Sequence, residues 1–255
     1  MQKKVLQDEK SQALIPIIQL QVLLKRDPTK RFEIRLFQKN EIERVLDQLC
    51  TTFAEGEPLG HYLGVTKKMW EAHLRPSVEW SVEENLGVVC TDVDTGKIAV
   101  SVISYDLYNT IAKPVFQLPS KYKELDIIIE MTAVDQDPSL KPEKFNDVVF
   151  LFCLACSKEY QGLGLAKDTV LWILKNHPIM SKSKAITITA TNPKTKIIMD
   201  KTGWETTRVL NLIEYKNKKG KNVFQSITEE LEKMNFLKGF KEIHFGVYRS
   251  QQTGN

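Results

Sequence analysis

The chain has 255 residues, of which 42% are hydrophobic and 27% charged, a balance typical of globular proteins with ample apolar material for a core. The 36 lysines and arginines only slightly exceed the 32 aspartates and glutamates and are scattered along the chain, which argues against nucleic-acid binding. No apolar run reaches the roughly 20 residues of a membrane-spanning helix, and the N-terminal segment lacks a secretion or transit signal. We therefore expect no membrane partner and a cytoplasmic location.

The four cysteines are too few and too widely spaced for a disulfide framework in a chain of this length, which favours a reducing compartment. Cys153 and Cys156 form a lone C-x-x-C motif inside an apolar, strand-like run. With no second pair and no nearby histidine, buried thiols are a better explanation than a zinc or redox centre. We expect no metal site.

The hydrophobic pattern predicts an arm at residues 1–30, a single domain at 31–250 and a tail at 251–255. The first half of the domain predicts, in order, a strand at 31–38, a helix at 40–53, a turn at 54–64, a helical stretch at 66–85 interrupted at Pro76, and two strands within 86–107. Asp94-Thr95-Gly96 is a hairpin signal between those two strands. Residues 109–147 are irregular apart from a helix within 122–134, and such a long connection is typical of a substrate lid or of disorder.

The second half has a more regular pattern, which alternates strands and helices. It predicts strands at 148–156, 185–191, 204–216 and 242–250, with helices at 163–176, 194–201 and 222–238. Seven strands interleaved with helices predict a mixed α/β domain. In open sheets of this kind, ligands bind at the carboxyl ends of the strands.

The junction between the strand at 148–156 and the following helix contains Gln161-x-x-Gly164-x-Ala166, with a further glycine at 162. A helix start exposes unpaired N–H groups, and glycines remove the β-carbons that would keep an anion away from them. The pattern matches neither a dinucleotide-binding G-x-G-x-x-G nor a P-loop. A glycine turn that only allows close packing of helix on strand remains the alternative.

This motif resembles the cofactor signature of the GNAT superfamily of N-acetyltransferases, Gln or Arg-x-x-Gly-x-Gly or Ala, in the same strand-turn-helix context. "KTGWE" at 201–205 matches the Gly-aromatic pair that ends a later helix in that superfamily. "FAEGEPLGHYLG" at 53–64 is similar to the Glu-Pro-Leu segment of the arylalkylamine N-acetyltransferase branch. The resemblance covers roughly residues 32–249, with poor matches at 109–147 and 216–240.

The resemblance implies the GNAT acyl-CoA N-acyltransferase fold, a three-layer α+β arrangement whose central, mostly antiparallel sheet splays between its fourth and fifth strands, 148–156 and 185–191. It implies acetyl-CoA as the cofactor, with the pantetheine arm in the gap between those strands. The main chain of Leu154, Ala155 and Cys156 would contact the pantetheine. The diphosphate would rest on the N–H groups of the turn, formed by Gln161, Gly162, Leu163, Gly164, Leu165 and Ala166, with Lys167 as an added charge.

Glu57 is the candidate general base, because it matches the catalytic glutamate of the Glu-Pro-Leu segment. Pro58 restricts the backbone of Glu57 to an extended form, which would aim its carboxylate. Without the resemblance, a solvated loop glutamate would be the simpler interpretation. The same branch places hydroxyl residues after the fifth strand, and Thr191 and Thr195 align with them as candidate catalytic residues.

The implied activity is transfer of an acetyl group to a primary amine, such as a small arylalkylamine or polyamine. Three features keep alternatives open: glutamine rather than arginine at position 161, Met199 where many GNAT enzymes have a general-acid tyrosine, and the added helical segment 222–238. One alternative is a degenerate GNAT-fold scaffold subunit that contacts a protein partner through Phe224 and Leu231 of the 222–238 helix. Acetylation of a protein terminus or lysine is another.

Overall fold

The computed structural model describes residues 20–23, 31–112, 121–132, 140–235 and 237–249. The strands in these ranges form a single sheet and are β1 (Leu20–Leu23), β2 (Arg31–Leu36), β3 (Val88–Asp92), β4 (Ile98–Asp106), β5 (Val148–Cys156), β6 (Ala185–Ala190), β7 (Glu205–Asn211) and β8 (Glu242–Arg249). Their order across the sheet is β1-β2-β3-β4-β5-β6-β8-β7. Neighbouring strands are antiparallel except β5 and β6, which run parallel.

Helices cover both faces of this sheet. They are α1 (Ile42–Gly56), α2 (Pro58–Leu63), α3 (Lys67–Glu83), α4 (Leu107–Ala112), α5 (Lys123–Thr132), α6 (Leu165–Asn176), α7 (Pro193–Thr202) and α8 (Ile227–Lys233). None of the helices within the described ranges is long and apolar enough to cross a membrane.

Alternation along the central strands produces a separate core on each face of the sheet. In β3, Val89 belongs to the core under α1, α2, α3, α5 and α8, whereas its neighbours Val88 and Cys90 belong to the core under α6 and α7. The helices bury matching stripes: Leu46 and Leu49 of α1 enter the first core, and Trp172 of α6 enters the second. The predicted three-layer α/β arrangement is confirmed.

Two local predictions were wrong near the start of the domain. The expected turn at 54–64 contains helix α2, because Glu57 acts as an N-cap and Pro58 occupies the first helical position, where a missing N–H costs nothing. Helix α3 runs without interruption through Pro76. The proline removes one backbone hydrogen bond, but burial of Leu74 and Val78 on either side holds the helix together.

The sheet also extends beyond the seven predicted strands. Strand β1 lies within residues 1–30, the predicted arm, and pairs with β2, so these four residues join the sheet. In the irregular segment 109–147, helix α5 confirms the predicted helix, and α4 was not predicted. Two parts of that segment, 113–120 and 133–139, lie outside the described residues, as does the tail at 251–255.

The proposed partner-binding face of the 222–238 helix was wrong. The helix is shorter than expected, spanning Ile227–Lys233, and Phe224 and Leu231 are each 0% exposed. Both side chains pack into the first core together with Leu212 and Ile243. This segment therefore stabilises the domain, and its apolar face is not available to a partner.

Candidate active site

The parallel strands β5 and β6 separate at their carboxyl ends. Their pairing runs from Val148↔Ala185 to Leu151↔Ile188 and then stops, although β5 stays paired with β4 as far as Cys156. Opposite Ile103 and Ser104 of β4 the register shifts by one residue, which places a β-bulge at Phe152 on β5. A bulge bends the strand that carries it, so β5 turns away from β6 at this residue and a gap opens between them.

A cavity of about 710 Å³ passes through this gap. It brings together predicted site residues from distant parts of the chain: Glu57, Leu154, Cys156, Gln161, Gly162, Gly164, Leu165, Ala166, Lys167, Thr191 and Thr195. Two other predicted residues do not line it: Ala155 is buried in the first core, and Leu163 packs against the second. For both residues the prediction concerned only the main chain, so the orientation of their side chains leaves it untested.

The glycine turn forms an open wall of the cavity at the start of α6. Gly162 and Gly164 have φ values of 80° and 86°, in the left-handed region that favours glycine. A β-carbon built at either position has no atom of the described residues within 4 Å, so the space next to both glycines is open. Gly164 is the N-cap residue of α6, whose first N–H groups have no acceptor within the helix. These features suit an anionic group such as a diphosphate.

Glu57 also lines the cavity and lies between α1 and α2. Its backbone is extended, with φ −89° and ψ 117°, as Pro58 requires. The carboxyl is 6% exposed, and its Oε2 accepts a hydrogen bond of 2.5 Å from the Gly60 N–H. Oε1 is buried without a hydrogen-bond partner of ordinary geometry in the described part of the chain.

Burial raises the pKa of Glu57 to about 7, although hydrogen bonding from the Gly60 N–H, the Thr191 hydroxyl and the Leu59 N–H favours the ionised form. The Thr191 hydroxyl is close enough to lower the pKa, yet it does not satisfy Oε1. The carboxyl is thus divided between its charged and neutral forms near neutral pH. A group poised in this way can exchange protons with a ligand.

Asn192 connects the start of α7 to the segment that carries Glu57. The sequence analysis did not identify this residue. Its side-chain oxygen caps α7 by accepting from the Lys194 N–H at 2.9 Å, and its Nδ2 donates to the Gly56 carbonyl at 3.0 Å. The second bond ties the start of α7 to the residue before Glu57. Asn192-Pro193 is a recognisable helix-start signal, but the contact across the gap has no signature in the sequence.

The comparisons with known proteins connect this geometry to a fold. No family model matches the chain, and a search of curated proteins found no match. Among solved structures, the C-terminal condensation domain of Ebony with bound beta-alanyl-dopamine is 18% identical, with a TM-score of 0.68 over 86% of this chain and 98% of that domain. A mosquito arylalkylamine N-acetyltransferase-like protein, 5b, is also 18% identical, with a TM-score of 0.66 over 86% and 99%. The Drosophila melanogaster polyamine N-acetyltransferase is 12% identical, with a TM-score of 0.63 over 86% and 99%.

The chain has the GNAT fold. The strands that separate, β5 and β6, are the fourth and fifth strands of that fold, since β1 precedes the seven that were predicted. Identities this low show a shared fold. The reaction has to be argued from the residues in the cavity.

The position that carries a tyrosine in many GNAT enzymes contributes nothing to this cavity. Met199 is 1% exposed and packs in the second core against Gly246, where an added β-carbon would lie 2.2 Å from the Met199 Cε. Tyr160 lines the cavity, but its hydroxyl donates to Asp92 Oδ2 at 3.0 Å. Neither side chain therefore presents a free acid to the gap.

Lysines and a glutamine surround the glycine turn of this GNAT fold. Gln161 donates from Nε2 to the Cys156 carbonyl at 3.3 Å and accepts at Oε1 from the Lys194 ammonium at 2.9 Å. Lys167, the charge expected from sequence, is paired with Asp168 at 3.3 Å. The positive charge next to the turn is thus provided by α7 as well as by α6.

Proposed function

We propose that this protein is an acetyl-CoA-dependent N-acetyltransferase that acetylates a primary amine, such as a small arylalkylamine or a polyamine. One observation carries the proposal: a single cavity runs from the open glycine turn to the buried carboxyl of Glu57 through the gap between β5 and β6. Two GNAT-fold neighbours, an arylalkylamine N-acetyltransferase-like protein and a polyamine N-acetyltransferase, support this choice of acceptor.

The cavity offers a place for each part of the donor. The N–H groups of Gly162 to Ala166 would hold the diphosphate at the start of α6. The edge of β5 beyond Leu151, which lacks a partner in β6, would hold the amides of the pantetheine arm through the main chain of Leu154 to Cys156. Acetyl-CoA supplies an activated thioester when bound. No covalent attachment to the chain is needed.

Glu57 would act as the general base. Aliphatic amines have pKa values near 10 and are protonated at neutral pH, so a proton must be removed before nitrogen can attack. The unpartnered Oε1 of Glu57 would accept that proton, while Gly60 holds Oε2 and fixes the orientation of the carboxyl. Thr191 would stabilise the ionised form, and Thr195 lines the cavity from the first turn of α7.

Aromatic side chains next to Glu57 would shape the acceptor pocket. Phe53 and Phe152 line the cavity, and each is held from behind: Phe53 against Trp70 at 5.2 Å, and Phe152 against His73 at 6.2 Å between ring centroids. Burial lowers the pKa of His73 to about 4, so this ring is neutral at physiological pH. A neutral, aromatic wall suits the apolar part of an arylalkylamine.

The scaffold hypothesis remains as the second candidate, because Met199 is buried and supplies no general acid. The two functions differ in whether the cavity supports turnover. We expect the protein to bind acetyl-CoA, with a rise in melting temperature, and to acetylate at least one amine of a panel of arylalkylamines and polyamines. Glu57→Gln should abolish transfer and retain the thermal shift, whereas the control Glu55→Gln, at an exposed position two residues away, should retain both. Binding without transfer to any amine would favour the scaffold.

A further inference from the structure

One face of α7 lies along the donor cavity. Lys194, Ile197, Ile198 and Lys201 all line the cavity and are spaced i, i+3, i+4 and i+7, which places them on one side of the helix. Ile197 is 50% exposed although it is a large apolar residue. The helix therefore presents an apolar centre between two cations toward the cavity.

Unlike Lys167 and Lys196, the two lysines of this face have no carboxylate partner among the described residues. Lys167 is paired with Asp168 at 3.3 Å, and Lys196, which does not line the cavity, is paired with Asp200 at 2.5 Å. Lys194 instead donates to the neutral amide oxygen of Gln161, and within the described ranges Lys201 forms no ion pair. A positive charge left without a counter-charge beside an anion-accepting turn is available to a ligand.

We propose that this face of α7 binds the nucleotide of CoA, with Lys194 on the diphosphate, Ile197 against the C–H groups of the ribose that links the phosphates, and Lys201 on the 3′-phosphate. The inference rests on the proposed function, since it takes CoA as the donor. Lys194 already contacts the first residue of the glycine turn. At a rise of 1.5 Å per residue, the Cα of Lys201 lies about 10 Å farther along the helix than that of Lys194, so the two flexible side chains can reach two different phosphate groups of one ligand.

In this proposal Lys194 exchanges its hydrogen bond to Gln161 for a contact with the diphosphate. A lysine donates more strongly to an anionic phosphate oxygen than to a neutral amide, so the diphosphate displaces the Gln161 oxygen from Lys194. The nucleotide thus makes the protein selective for CoA thioesters over pantetheine thioesters. A pantetheine thioester enters the same gap but makes no contact with the lysines of α7, so its affinity is lower.

Titration calorimetry with CoA, 3′-dephospho-CoA and pantetheine tests this assignment on the full chain. We expect the wild-type protein to bind CoA about tenfold more tightly than dephospho-CoA, since one exposed charge-assisted contact contributes roughly this much. Lys201→Ala should remove that difference by weakening CoA only. Lys194→Ala should weaken both nucleotides and leave pantetheine unchanged. The matched control Lys196→Ala, on the same helix, should leave all three affinities unchanged.

The result that overturns the assignment is equal wild-type affinity for CoA and dephospho-CoA, or an equal loss for both ligands in Lys201→Ala. In that case CoA still binds, and the proposed function stands without the α7 site. Absence of binding for all three ligands to the wild-type protein overturns both proposals together. A tenfold preference that shrinks as salt is added supports the charge-based contact.

Discussion

Replacing Glu57 with glutamine should change how the stability of the protein depends on pH. Glutamine keeps the shape of the side chain and an oxygen that can accept from Gly60 N–H, but it does not titrate. The side chain is 6% exposed, so burial affects its charged form strongly. The substitution therefore isolates the free energy of ionising this one carboxyl inside the fold.

The magnitude follows from the pKa, which burial raises from 4.5 to about 7 in the folded protein. Between these two values the folded state binds more protons than the unfolded state, so the free energy of unfolding falls as pH rises through that window. At about 1.4 kcal/mol for each pH unit, the wild-type protein loses about 3 kcal/mol between roughly pH 4 and pH 8 through Glu57. The glutamine variant does not lose this amount.

Urea unfolding followed by tryptophan fluorescence measures the effect. The stability difference between Glu57→Gln and wild type should shift in favour of the variant by about 3 kcal/mol on going from about pH 4 to about pH 8.5. Any change in helix capping is common to both pH values and cancels. Glu55→Gln, at an exposed position, should show no such shift. A Glu57→Gln difference that is equal at the two pH values would refute the buried, high-pKa carboxyl on which the base assignment depends.

Three further changes give separate tests. Gly164→Ala, at φ 86°, should lower the free energy of unfolding by about 1–2 kcal/mol and weaken CoA binding at least tenfold. The control Gly96→Ala, at φ 69° in the β3–β4 hairpin, should lower stability by a similar amount and leave CoA affinity unchanged. Equal CoA affinities of the two variants in calorimetry would contradict the placement of the diphosphate. Asn192→Asp keeps the cap on α7 but places a carboxylate oxygen against the Gly56 carbonyl, so we expect a loss of about 1–3 kcal/mol of stability together with lower turnover. Unchanged turnover at a temperature where the variant is folded would show that this contact does not position the base. Burial lowers the pKa of His177 to about 3 in the folded protein, so below pH 6.5 the unfolded state binds more protons and the free energy of unfolding falls as the pH falls. In urea unfolding, His177→Asn should reduce the loss of stability between pH 7 and pH 4 by about 3 kcal/mol. An unchanged pH dependence would show that His177 does not cause the acid loss.

The sequence was most informative where local pattern and function coincide. The strand, glycine turn and helix at 148–176 were predicted because glycines, which permit positive φ, and a hydrophobic period of 3.6 residues can both be read from the sequence. Pro58 predicted the extended backbone of Glu57, and the structure has it. The role of Glu57 and of the threonines stays a prediction.

Features that depend on distant contacts could not be predicted. Pro76 was expected to interrupt a helix, but tertiary packing of α3 overrides the local penalty. Phe224 and Leu231 were assigned to a partner because an amphipathic stripe looks the same whether a core or another protein covers it. The contact between the Lys194 ammonium and Gln161, which brings α7 to the glycine turn, joins residues 33 positions apart and has no local signal in the sequence.

A crystal structure of the protein with bound CoA tests the central claim most directly. We predict the diphosphate on the N–H groups of Gly162 to Ala166, the pantetheine arm between β5 and β6, and the thiol pointing toward Glu57. CoA bound elsewhere on the surface, or a gap closed by continued pairing of β5 with β6 beyond Leu151, would contradict the account.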